Sequence, residues 1–130
     1  MATLKAARRA RLVPRIKIWL EIDDQNAVCF GLAEMLRAIG EAGSIKQGAV
    51  ILGKSYRYVW GRIKDVEKAL GVRLVETQVG GNGVQRSCLT DEARRLVADF
   101  QFVRRRMLQA VQREFARRSG RTSRTTSPKT

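Results

Sequence analysis

Residues 44–60 read SIKQGAVILGKSYRYVW, and the interpretation of this stretch decides the fold. Ser44 and Ser55 are both favourable N-cap residues, and Gln47, three places after Ser44, completes a capping-box pattern. Ile45, Ala49 and Leu52 lie between them at helical spacing. Gly53 interrupts the pattern at a point where a positive φ is cheap only for glycine. After Ser55 the helical spacing resumes with Tyr56, Val59, Trp60, Ile63, Val66 and Leu70, which form an expected inner face. The stretch therefore predicts a short helix over 45–52, a turn through Gly53 and a longer helix over 55–70. Ala49 is expected where two helices cross closely.

Upstream, Leu32, Met35, Leu36 and Ile39 form an apolar stripe of another helix, ending near Gly40 to Gly43, with Gly43 suited to a left-handed terminus. Further upstream, Ile16, Ile18, Leu20 and Ile22 alternate with Lys17, Trp19 and Glu21, which is strand periodicity. Asp23 to Asn26 reads as a turn, and residues 27–30 as a short return strand or a loop. Pro14 fits just ahead of the strand.

Downstream, Arg73 to Thr77 and Gln85 to Leu89 read as paired strands. The glycine-rich turn Gly80–Gly83 between them is longer than a tight hairpin requires. Thr90 caps a last helix, whose stripe runs Ala93, Leu96, Phe100, Val103, Met107 and then Ala110 or Val111. The expected fold class is α+β: a winged helix-turn-helix with an N-terminal strand or hairpin and a long C-terminal dimerisation helix. The expected organisation is a basic arm or helix over 1–13, the winged domain over 14–90, the dimerisation helix over 91–118 and a disordered basic tail over 119–130.

The 130 residues carry 26 Lys plus Arg against 12 Asp plus Glu, a net charge of +14. Charge is uneven: residues 1–18 hold +6, residues 19–50 hold −3, and the remainder is basic again. Such a balance fits an acidic polyelectrolyte partner. The chain has no histidine, no clustered carboxylate pair and no nucleotide-binding loop, since no Lys-Ser/Thr pair follows Gly80–Gly83. Enzymatic activity, a metal and a cofactor are therefore not expected. Cys29 and Cys88 form no CxxC pair and read as small buried hydrophobes in a reducing compartment. No signal peptide or membrane span is expected. The expected location is cytoplasmic, associated with the nucleoid.

A B-DNA major groove admits one α-helix. With Val59, Trp60 and Ile63 turned inward, the third helix offers Arg57, Tyr58, Gly61, Arg62 and Lys64 outward. Arg57 or Arg62 suits guanine edges, with Tyr58 or Lys64 as alternatives. Lys54, Ser55 and Lys64 suit phosphates, and Gly61 allows close approach of the backbone. In the turn of the hairpin, Gly81, Asn82 and Gly83, followed by Arg86, are candidate wing contacts. Leu96, Phe100, Val103, Met107 and Val111 are candidate dimerisation residues.

These motifs also carry a resemblance. The order Glu41-Ala42-Gly43-Ser44-Ile45, Gln47-Gly48-Ala49, Gly53 to Trp60, Leu74-Val75-Glu76, Gly80-Gly81 with Gly83, and Leu89-Thr90 resembles the N-terminal DNA-binding domain of ModE-type molybdate-responsive transcriptional regulators. That domain is itself similar to the winged helix-turn-helix of LysR-type regulators, and the resemblance runs from about Pro14 to about Val111. It implies that the Ser-Tyr-x-x-x-Trp segment opens the recognition helix, that the glycine-rich hairpin is the wing, and that flanking helices build a homodimer. Three features depart from the family pattern. Asn82 and Val84–Ser87 replace a basic residue and most of a glycine run, Glu67 stands where the family often has Asn, and the chain stops soon after the last helix. No molybdate site is expected.

The expected function is that of a bacterial, sequence-specific regulator of transcription that binds double-stranded DNA as a homodimer. The alternatives are a non-specific architectural DNA- or RNA-binding protein, or a single-domain adaptor that binds another regulator.

Overall fold

Three glycines in the left-handed region cut the middle of the chain into helices. The computed structural model describes residues 10–24, 26–80 and 85–120. Helix α1 spans Phe30–Ala42 and ends at Gly43, with φ of 80° and an N–H that donates to the Ile39 carbonyl at 2.8 Å. Helix α2 spans Ile45–Leu52 and ends at Gly53 with φ of 67°. Helix α3 spans Tyr56–Leu70 and ends at Gly71 with φ of 73°. Serine starts two of them: the Ser44 and Ser55 hydroxyls accept from the Gln47 and Tyr58 N–H groups at 3.0 and 3.1 Å. Each cap meets one of the donors a helix leaves unpaired at its start.

Two antiparallel hairpins flank these helices. Strand β1 (Trp19–Ile22) pairs with β2 (Asn26–Cys29), Trp19 opposite Cys29. Strand β3 (Val75–Val79) pairs with β4 (Gln85–Leu89), Val75 opposite Leu89. Helix α4 runs Asp91–Ser119. Thr90 caps it, accepting from the Ala93 N–H at 3.2 Å while its hydroxyl donates to the Arg73 carbonyl at 2.7 Å. The architecture is the expected α+β one, with an N-terminal hairpin, helix-turn-helix and long last helix.

The chain forms two compact units, one over Ile18–Arg104 and one comprising the residues before and after it. The core of the first is built from Leu32, Leu36 and Ile39 of α1, Ile45 and Ala49 of α2, and Val59, Ile63 and Val66 of α3. Leu74, Val75, Ala93, Val97 and Phe100 close it. In the second, Leu108 is buried and Pro14, Ile16, Val111 and Phe115 are half-buried.

Several details differ from the expectations. The first strand begins at Trp19, not at Ile16, and its partner is 26–29 rather than 27–30. The third strand is displaced to 75–79, because Arg73 and Leu74 are taken up in contacts to Thr90 and Glu67. The tight helix crossing falls at Gly48: a Cβ there would lie 3.0 Å from Ile39 Cγ1 and 3.1 Å from its backbone nitrogen. Ala49, one residue later, is buried as expected.

Tyr56 and Trp60 are not core residues but are 47% and 44% exposed. Val59, Ile63, Val66 and Glu67 fill the inner arc of α3, which leaves the two rings at its edge. Neither cysteine is buried; Cys29 is half-buried and Cys88 exposed. On α4 the buried row is Ala93, Val97, Phe100 and Leu108. Leu96 and Val111 are half-buried, while Val103 and Met107 of the expected stripe are exposed, with Phe102. The buried row is centred near Val97, Phe100 and Leu108, which leaves Val103 and Met107 at the exposed flank of the expected stripe. The expected tail from 121 onward and most of the expected N-terminal arm lie outside the described residues.

Glycine substitutions are expected to separate these roles in thermal unfolding. Gly53→Val places a branched side chain at positive φ and should cost about 1–2 kcal/mol. Gly48→Val overpacks the α1–α2 crossing and should cost about 1–3 kcal/mol. Gly61→Ala, in a helix interior with open space around it, should be neutral or raise stability by up to about 1 kcal/mol.

Candidate nucleic-acid interface

The outer surface of α3 follows from its inner one. With Val59, Ile63 and Val66 fully buried, a rotation of about 100° per residue turns Arg57, Gly61 and Lys68 outward. Arg57 and Lys68 are exposed. A Cβ on Gly61 would meet nothing within 4 Å. Lys54 and Ser55 are exposed at the start of the helix, where the Lys54 ammonium lies 5.6 Å from the centre of the exposed Tyr58 ring.

Arg62 does not share the outward face. It lies five residues after Arg57, about 140° around the helix, and is half-buried with its guanidinium beside the Cys29 thiol. Partial burial raises the pKa of that thiol. The N–H groups of Leu32 and Gly31 at the start of α1, together with Arg62, outweigh the burial and hold it below the ordinary thiol value.

Lys64 is also engaged within the fold. Its ammonium lies 3.1 Å from Glu67 Oε1 and 5.7 Å from the centre of the Trp60 ring. Glu67, marked in the sequence only as a departure from the family pattern, has a structural role that the pattern did not give. It is buried, and Oε2 accepts from the N–H groups of Leu74 at 2.7 Å and Val75 at 3.2 Å. Burial alone would raise its pKa, but those N–H groups and Lys64 hold it below the ordinary carboxylate value of 4.5. The signal was present in the sequence. An acidic residue falls on the arc of Ile63, Val66 and Leu70, where carboxylates are rarely found without partners.

The second hairpin packs against the end of α1 and faces α3 across a cleft. The Ser87 N–H donates to the Gly43 carbonyl at 2.7 Å, and Leu89 side-chain atoms approach Gly40 within 3.1–3.2 Å of where a Cβ would stand. Arg86 is exposed on β4 opposite Gln78. Gly81, Asn82 and Gly83 lie outside the described residues. Between α2, α3 and this hairpin opens a cleft of about 690 Å³, lined by Lys46, Gln47, Tyr56, Trp60, Lys64 and Arg73 among others. Lys46 and Arg73, absent from the sequence-derived set, thus share the cleft with Lys64, while Lys54 and Arg57 lie outside it on α3 and at its start. Among the described residues, no helix is long and apolar enough to cross a membrane.

A capped helix-turn-helix whose second helix is exposed beside a β-hairpin defines the winged class of DNA-binding domains. The chain belongs to the lysR family of bacterial regulatory helix-turn-helix proteins, whose sequence pattern matches residues 30–94. Its curated relatives include the molybdenum transport protein ModE of Herbaspirillum seropedicae, 29% identical over 114 residues. That alignment takes in 88% of this chain, which spans 40% of the length of that relative. The solved CbnR_DBD–DNA complex is also similar, at 24% identity and a TM-score of 0.47 over 72% of this chain and 97% of that one.

The contacts of Glu67 carry a pH signature. Its native pKa is depressed, so its stabilising contribution is complete above the ordinary value of 4.5 and is lost as pH falls through the lowered native value. Melting temperature followed from pH 7 to pH 3 should fall less steeply for Glu67→Gln than for the wild type. At neutral pH, Glu67→Ala should cost about 1–3 kcal/mol, because it leaves two backbone N–H groups without their acceptor.

Proposed function

We propose that this protein is a sequence-specific, double-stranded DNA-binding regulator of transcription of the ModE-like type, acting as a homodimer. The observation that carries this reading is the exposed face of the Ser55-capped helix α3, which presents Arg57 and Lys68, with Lys54 at its start and a hairpin across a cleft from it. Arg57 is placed to read a guanine edge, which a guanidinium contacts with two parallel hydrogen bonds. Lys54, Ser55 and Arg86 contact phosphates, which fix register without reading sequence. Arg62, held against Cys29, orients α3 rather than reading bases.

The dimer is proposed to form through α4, where Phe102, Val103 and Met107 are 57%, 41% and 45% exposed. A two-fold pair would present two recognition helices to a pseudo-palindromic site. Phe100, buried at 2% exposure, belongs to the core of its own protomer. The reading invokes neither catalysis nor a cofactor. Although a relative bears the name of a molybdenum transport protein, no molybdate site is proposed in this chain.

Titration on cognate and scrambled duplexes at two salt concentrations tests DNA recognition. Arg57→Ala should cost about 1–3 kcal/mol on the cognate site and relax preference at one position. Arg86→Ala should weaken both duplexes equally and lower the salt slope by about one. Equal losses on both duplexes for Arg57→Ala would favour the architectural reading. Sedimentation at micromolar concentration should show a dimer that Val103→Asp with Met107→Asp converts to monomer.

A further inference from the structure

We propose that Trp60 is a specificity-determining residue, whose indole packs on the 5-methyl group of a thymine in the major groove. The inference rests on the DNA-recognition reading above and adds to it the class of base contact. Trp60 is 44% exposed at the edge of the helix that would enter the groove, lining the cleft toward α2 and the second hairpin, and Val59 and Ile63 fill the core beside it without its help. A large ring left half in water gives up much of the burial that makes an aromatic side chain stabilising.

The ring is nevertheless held. Lys64 stands 5.7 Å from its centre, Glu67 fixes Lys64 at 3.1 Å, and the other Glu67 oxygen is bound by the backbone of Leu74 and Val75. Trp60 is thus positioned from the root of the hairpin, with Lys64 and Glu67 as positioning residues. Such preorganisation suits a side chain that must meet a ligand without further ordering.

Gly61 is the second observation. It lies in a helix interior, does not have a positive φ, and would meet nothing within 4 Å if it carried a Cβ. Neither backbone geometry nor internal packing calls for glycine there, although glycine weakens a helix by roughly 1 kcal/mol relative to alanine. The residue makes sense as clearance for something that approaches from outside, about 100° around the helix from the indole. In duplex DNA the base faces are stacked and only their edges are offered. Of the four bases, thymine alone presents a methyl group in the major groove.

The experiment uses a duplex selected from a random pool by the wild-type protein. Each thymine is replaced singly by deoxyuridine, which removes only the methyl group. Wild type should lose roughly three- to fivefold in affinity at one position of each half-site, the scale of one buried methyl-sized group. Trp60→Ala should abolish that penalty and leave those at other positions unchanged, and Trp60→Phe should retain part of it. Melting curves check that both variants fold, as an exposed ring permits. A flat uracil scan on a selected duplex, or a penalty that persists in Trp60→Ala, overturns this inference alone. A wild-type protein that selects no sequence overturns the recognition reading and this inference with it.

Discussion

The Glu67 carboxylate is the tie on which the geometry of the interface depends. It lies near the end of α3 and grips the two N–H groups with which the chain enters β3, at 2.7 and 3.2 Å. Without it the hairpin would be joined to the helix only by the turn at Gly71 and by packing. A carboxylate buried in such a place costs desolvation, which is offset only when every oxygen finds a donor. Here the two N–H groups share one oxygen and Lys64 takes the other. Among the described residues no buried side-chain polar atom lacks a hydrogen-bond partner.

From that tie the neighbouring contacts follow. Leu74 and Val75, once held, fix where β3 begins. The Leu74 carbonyl accepts from the Thr90 N–H at 3.0 Å, and Thr90 starts α4. Ser87, in the return strand, reaches back to the carbonyl of the glycine that ends α1. The end of α3, the root of the second hairpin, the first turn of α4 and the end of α1 are thereby keyed to one another through the Glu67 carboxylate and two backbone hydrogen bonds. Backbone groups have little freedom to rearrange, so a surface built on them is preorganised.

Elements set by local chemistry were legible in the sequence. Ser44, Ser55 and Thr90 cap helices because a hydroxyl satisfies a nearby N–H wherever the chain goes next. Gly43 and Gly53 end helices because only glycine accepts their φ without strain. The glycine-rich turn between paired strands announced the second hairpin. What periodicity leaves open is the width of the buried arc. It gives a centre, near Val59 and Ile63, but the placement of Tyr56 and Trp60 depends on how near the hairpin stands, which is a long-range fact. Glu67 was hidden for the converse reason, since its partners are backbone groups seven and eight residues away that no side-chain pattern marks. The distinction between Arg57 and Arg62 likewise needed Cys29, which belongs to a different hairpin. On α4, the buried Phe100 and exposed Val103 are neighbours on one apolar stripe, and only packing separates them.

The glycines at 43, 53 and 71 share one further property. None would bring a Cβ within 4 Å of another group, yet each has φ between 67° and 80°. Space does not select glycine at these turns; handedness does. The left-handed region is strained for L-residues because of the chirality of one carbon atom, and by mirror symmetry it is the ordinary territory of D-residues. The points at which α1, α2 and α3 end are therefore specified by stereochemistry rather than by shape. A single inverted α-carbon would suit the backbone there better than any of the other encoded side chains.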